Sequence, residues 1–271
     1  MVKKLLKYEL SYYIKTLMMV LPITLLIGVC NLILSPLKDL DYPLSLLYYL
    51  SFSLLYIGVL ISTIAPIVIS VIRFYKNFYS NEGYLTFSLP VSNHLHLLTK
   101  LIASTIASLA GAIVSIITVL IASINGLEVL EVFLDLFRSI MPGLAGLGVI
   151  NIIFYVIEII ILVLLATFSA PLLYYTCISI GQLGKKNRIL LAVLVYYGFT
   201  VASQVLFSLL TVFSLVLGVN GLFDGIGQFF TNNPIAAIHI ILIVLIILQA
   251  GLGTLFYFVN YKIMTHKLNL E

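Results

Sequence analysis

Charge is scarce in this sequence. Asp, Glu, Lys and Arg together make up 9% of its 271 residues, against about a quarter in soluble domains. No long polar segment exists from which a soluble catalytic domain could be built. Cysteine is nearly missing as well. Cys30 and Cys177 have neither Cys-x-x-Cys nor Cys/His metal spacing, so no disulfide framework is implied and both read as small buried apolar residues. The motifs that carry chemistry are absent too. There is no GxxxxGK[ST] loop to cradle ATP phosphates on backbone amides, no HExxH or paired acidic metal motif, and no GxSxG elbow. His94 and His96 lie two apart without a third ligand and read as solvated, so no metal site is expected. Neither an enzyme nor a nucleic-acid binder is expected from this inventory.

What the sequence does have is apolar length. It is 62% hydrophobic with a mean hydropathy of +1.20. A helix needs about 20 mostly apolar residues to cross the roughly 30 Å hydrocarbon core of a bilayer. Six runs qualify: 17–34, 46–72, 101–124, 149–180, 189–217 and 235–259. The fold expected is an all-α integral membrane protein with six transmembrane helices in a single domain, 1–271. The first run lacks a small-residue cleavage site and leads into further spans, so it is not read as a signal peptide.

The few charges are sorted by side. With six spans, one face carries Lys3, Lys4, Lys7, Lys15, Arg73, Lys76, Lys100, Lys185, Lys186, Arg188, Lys262 and Lys267, which is 12 of the 14 basic residues. The other carries Lys38 and Arg138 beside Asp39, Asp41, Glu128, Glu131, Asp135 and Asp224. The positive-inside rule then places both termini in the cytoplasm. A five- or seven-span arrangement would destroy the split.

Several segments have a character of their own. Residues 1–16 are amphipathic: Lys4, Lys7, Ser11 and Lys15 share one helical face, as in a helix lying in the inner interface or in a plain basic anchor. Residues 125–142 form a second amphipathic stretch, read as an outer surface helix or a solvated connector. In the third span Ala103, Ala107, Gly111 and Ser115 recur every fourth residue. Such a stripe of small side chains lets two helices approach closely, within one subunit or between two. Glu158 is the acidic residue deep in a span, where an ionisable group is expensive. Binding a cationic group, relaying a proton and pairing with another helix all remain open for it. His239 reads as a packing residue.

The densest signal is the polar, aromatic island RFYKNFYSNEGYLTFSLPVSNHLHLLTK, residues 73–100. A turn at Glu82-Gly83 and a break at Pro90 make it a protruding elbow over 74–99, with Ser92 placed to cap the next helix. Aromatics beside a few charges suit a protein contact. An amphipathic hairpin on the inner leaflet suits the composition equally.

The same island resembles the segment after the second helix in six-span ABC-2 type permeases of Gram-positive bacteria, with its aromatic-Tyr-Lys-Asn, Glu-Gly-Tyr-Leu and Leu-Pro-Val-Ser elements. The run Ile178-Ser179-Ile180-Gly181-Gln182-Leu183, the basic Lys185-Lys186-Asn187-Arg188 after it, and the tail from Asn260-Tyr261-Lys262 to Glu271 are similar to the family's fourth inner end and C-terminus. The resemblance implies a permease subunit of an ATP-driven exporter in the bacterial cell membrane. It would pair with a second permease copy and a separate ATPase that holds the ATP and Mg, no cofactor being bound by this chain. It also implies that the elbow is the coupling helix, with Phe78, Tyr79, Glu82, Gly83, Tyr84 and Leu85 meeting the ATPase. Residues 218–234 would be a re-entrant outer gate carrying Phe223, Phe229 and Phe230; a flexible outer loop fits that composition too. Apolar walls favour an amphipathic or hydrophobic cargo: peptide, bacteriocin, lipid or drug. The alternatives are an ion-coupled carrier centred on Glu158 and a non-transporting membrane scaffold or sensor.

Overall fold

The computed structural model describes residues 2–88, 90–123, 135, 148–184, 186–219, 225, 228–229 and 232–266. Among these residues the chain is helical and no strand occurs. The elements are α1 (Val2–Leu34), a 3-10 turn (Ser35–Asp39), α2 (Leu44–Tyr79), α3 (Glu82–Ser88), α4 (Asn93–Ala122), α5 (Val149–Gly181), α6 (Arg188–Val219) and α7 (Pro234–His266). All of these helices except α3 are long and apolar enough to cross a membrane, which makes six candidate spans and a multi-pass membrane protein. At 1.5 Å per residue the 33 residues of α1 reach ~50 Å, more than the hydrocarbon core requires. Residues 2–16 and the first apolar run lie in this one helix, with Pro22 inside it. The segment 125–142 lies outside the described residues apart from Asp135, as does most of 218–234.

The chain divides into two compact units, Met1–Gly146 and Leu147–Glu271. In the first, α1, α2 and α4 pack against one another. Their contact faces are small and polar: Ser62, Ser70, Ser104, Thr118 and Asn31 are all buried. Large apolar side chains such as Met18, Met19, Ile33 and Ile116 point outward. That distribution is the reverse of a water-soluble bundle. It is what lipid selects, because apolar surface gains nothing by leaving hydrocarbon while close backbone approach and hydrogen bonds still hold helices together.

The small-residue stripe of α4 sits at the centre of this packing. Ala103 and Ala107 are buried with Tyr13 and Leu17 of α1, with Ala65 and Ile69 of α2 alongside. Gly111 faces α2 at Ser62 and Pro66. Pro66 has no N–H, so it cannot bond the Ser62 carbonyl one turn back, and that carbonyl is the atom nearest to where a Gly111 side chain would begin. Ser115 Oγ then lies 2.5 Å from Ser62 Oγ. Towards the other end of the bundle, Asn31 Nδ2 of α1 donates to Ser51 Oγ of α2 at 3.0 Å.

In the second unit α5 packs on α6 and α7. Asn260 of α7 is fully buried and bridges to α5. Its Nδ2 donates to Thr176 Oγ1 at 2.7 Å, and its Oδ1 accepts from Ser179 Oγ at 2.8 Å. Gly181 lets α6 fold back tightly, since a β-carbon there would lie 2.6 Å from Ala192 Cβ. Asn187 adopts φ 52° in that turn, a left-handed conformation that asparagine tolerates. Cys177 is buried, but Cys30 is exposed on α1, against expectation: it lies off the Thr24, Gly28 and Asn31 face that α1 buries.

Candidate functional site

The α2–α4 connection is built by local rules. The last turn of α2 carries Lys76, favourably placed against the terminal carbonyls. Ser80 is extended and ends the helix, and Gly83 N donates to Ser80 O at 2.8 Å to start the turn into α3. Pro90 falls in the break after α3. Ser92 occupies the N-cap position of α4, but its side chain makes no capping bond. Instead its carbonyl accepts from Leu95 N and His96 N.

Below this elbow lies a buried charge cluster that no motif announced. Glu9 of α1 accepts from Arg73 Nε of α2 through Oε2, and from Lys100 Nζ of α4 through Oε1 at 2.8 Å. Lys100 is 3% exposed. In the orientation its neighbours dictate, Asn77 donates to Arg73 O and to Glu82 Oε2, each at 3.1 Å, while its Oδ1 accepts from Lys100 Nζ at 2.8 Å. Glu82 opens α3, so four elements meet in one network. Aromatic rings close it: the Arg73 guanidinium lies 4.0 Å from the Tyr12 ring centre, and Lys100 Nζ lies 5.2 Å from that of Phe78. A lysine ammonium has three donors. Glu9 and Asn77 each accept from it, and the Phe78 ring lies beside it.

The elbow residues divide into two sets. Phe78 is fully buried, stacked edge-on with Phe74 and tilted against Phe87. Gly83 is buried and Tyr79 half-buried. Glu82 is exposed yet bonded to Asn77. Tyr84 and Leu85 project outward, 59% and 72% exposed. His94 is exposed, but His96 corrects the expectation of a solvated residue. It is 2% exposed, edge-on to Phe78 at 6.4 Å, because it lies one turn before Lys100 on the buried face of α4. Among the described residues no group of three or more His, Cys, Asp or Glu side chains is placed to hold a metal.

In the second unit Glu158 and His239 come together, α5 to α7. His239 Nδ1 stands 2.9 Å and 3.0 Å from the two carboxylate oxygens. Tyr155 stacks on the imidazole at 4.2 Å and donates its hydroxyl to Ile235 O. The sequence treated these two residues separately because they lie in different spans. An apolar groove of about 250 Å³ also runs between α5 and α7, with Phe168, Tyr257 and Phe258 on its walls and Gln249 bonded to Ser169. Of the phenylalanines expected at an outer gate, Phe229 is exposed, while Phe223 and Phe230 lie outside the described residues.

Glu9 and Asn77 were missed in the sequence. The available signal for Glu9 was its isolation, one acid among four lysines in residues 1–16. Comparison of the chain with protein-family models, curated proteins and solved structures gives no match.

Proposed function

We propose that this chain is the membrane permease subunit of an ATP-driven exporter, and that α3 is where a separate ATPase subunit docks. The observation that carries the reading is the form of the elbow. A seven-residue helix offers an exposed Tyr84–Leu85 pair, and its first residue, Glu82, is tied through Asn77 to the cluster that joins α1, α2 and α4. Exposed apolar side chains on a rigid support suit a protein contact, and a rigid support is what passes motion onward. The resemblance of residues 73–100 to the coupling segment of ABC-2 permeases points the same way. ATP and Mg would be held by the partner. ATP binding drives the cycle through its preference for one ATPase conformation, since a ligand shifts an equilibrium only by such a difference. Both termini and the elbow face the cytoplasm of a bacterial cell, a second permease copy completes the translocation path, and the cargo is amphipathic or hydrophobic.

The test is co-purification from native membranes of wild type and a Tyr84→Ala/Leu85→Asp variant, with Glu82 untouched because it belongs to the internal network. Wild type captures an ATP-hydrolysing subunit, and the variant, present at an equal level in the membrane, loses it. Capture by both overturns the docking assignment. Capture by neither, even after mild crosslinking, overturns the exporter reading.

The Glu158–His239 pair favours one competing reading, an ion-coupled carrier, because it places two titratable groups inside candidate spans. That reading requires flux in reconstituted vesicles that follows an imposed pH gradient without any ATPase.

A further inference from the structure

We infer that Glu9 is the positioning residue of the elbow: from α1 it sets where α3 stands by drawing the end of α2 and the start of α4 onto one carboxylate. The partner-docking consequence rests on the coupling role proposed for α3; the positional one does not.

The geometry is asymmetric in a telling way. α3 hangs between α2 and α4 on short connections, residues 80–81 and 89–92, so its place follows from where those two helices end. Each helix carries a cation into the gap, Arg73 from α2 and Lys100 from α4. Two like charges in a buried site repel strongly, because little water is there to screen them. The carboxylate between them comes from a third helix, 64 residues from one partner and 91 from the other. Without it, no carboxylate on α2 or α4 offsets that repulsion, and Glu82 of α3, which also attracts Lys100, is exposed and hydrogen-bonds to the cluster through Asn77. The same Asn77 amide joins Lys100 to Glu82, the first residue of α3. A shift of Lys100 relative to α2 is therefore felt at the root of α3. The path runs from α1 through Glu9, Lys100 and Asn77 to Glu82.

The alternative role for such a cluster is simple support of the fold. Buried ion pairs are frequently no more stabilising than apolar substitutes, which leaves conformational definition as the property to measure. The experiment uses the full-length chain with Cys30 and Cys177 replaced. Spin labels at Leu85 on α3 and Met18 on α1 report the elbow, and a control pair at Ile33 on α1 and Ile116 on α4 reports the bundle. All four side chains are exposed. Glu9→Gln keeps the size and removes the charge. Its expected effect is a displaced or broadened elbow distance with the control distance unchanged. Glu9→Arg combined with Arg73→Glu again gives one carboxylate and two cations, leaves the Lys100–Asn77–Glu82 link in place, and is expected to restore the elbow distance.

An elbow distance that Glu9→Gln leaves unchanged overturns the inference. So does a folded charge-swapped variant whose elbow stays displaced. If both variants lose the control distance, the cluster is a folding element and the positioning role is likewise overturned. ATPase capture from the same membranes separates the two proposals. A wild type that captures none defeats the exporter reading and leaves the distance result standing. Loss of capture in Glu9→Gln without an elbow shift defeats the positioning role alone.

Discussion

Asn260 shows how a polar residue works in these helices. Its amide reaches Thr176 Oγ1, Phe256 O and Leu172 O, and its carbonyl takes the Ser179 hydroxyl. Four hydrogen bonds suggest a large contribution, but the alternatives are good. Thr176 already donates to Leu172 O at 2.7 Å, and a freed Ser179 hydroxyl can turn to a carbonyl of its own helix. Hydrogen bonds between membrane helices are worth about 0.6 kcal/mol on average for this reason. Asn260→Leu is expected to cost about 1 kcal/mol, seen as a small drop in thermal midpoint in detergent. Glu9 differs, because its removal strands cations rather than hydroxyls. Glu9→Gln is expected to cost roughly 3 kcal/mol, the range for breaking a buried ion pair, and Lys100→Met less, since Glu9 keeps Arg73. Neither ranking was legible in the sequence. An asparagine in a span looks the same whether its neighbours can compensate or not.

Among the elements, α4 carries the clearest pattern in the sequence, small residues every fourth position. That pattern lies along one helix and needs no knowledge of the partner. What it could not reveal is the partner's contribution: Pro66 leaves the Ser62 carbonyl without its helical donor, and Gly111 faces that carbonyl. A β-carbon at 111 would lie 2.5 Å from Ser62 O and 3.0 Å from Pro66 Cγ, so α2 and α4 would have to part. Gly111→Ala is expected to destabilise by about 2 kcal/mol, an overpacking cost, despite alanine's better helix propensity. Gly198→Ala is the comparison, because nothing lies within 4 Å of its added carbon, and it should hold or gain stability. Thermal unfolding of both variants in one detergent checks the contrast. The elbow was legible in a similar way. A turn at Glu82-Gly83 and a break at Pro90 follow from residue type, whereas the division into buried Phe78 and Gly83 and exposed Tyr84 and Leu85 follows from packing.

At the level of the whole molecule, apolar side chains cover the outside of both units, from Met19 and Ile33 to Phe207 and Phe258. A surface of that kind is unstable against water and stable against hydrocarbon. With six spans, 12 of the 14 basic residues fall on one side in the order of the sequence, so the expected orientation has the elbow inside and the α1–α2 turn outside. In a background without Cys30 and Cys177, a membrane-impermeant thiol reagent should label Asp41→Cys in intact cells and Leu85→Cys only after permeabilisation. The opposite pattern reverses the topology and removes the elbow from the reach of any cytoplasmic ATPase. The sequence alone determined the six apolar helices and the sorting of charge between their ends. Both depend on the length of apolar runs and the order of charged residues, which are properties of one dimension. Only the tertiary structure decided that Glu9 meets Arg73 and Lys100, and that Glu158 meets His239. Each of those pairs spans more than sixty residues of chain, and no local pattern encodes which helix faces will meet.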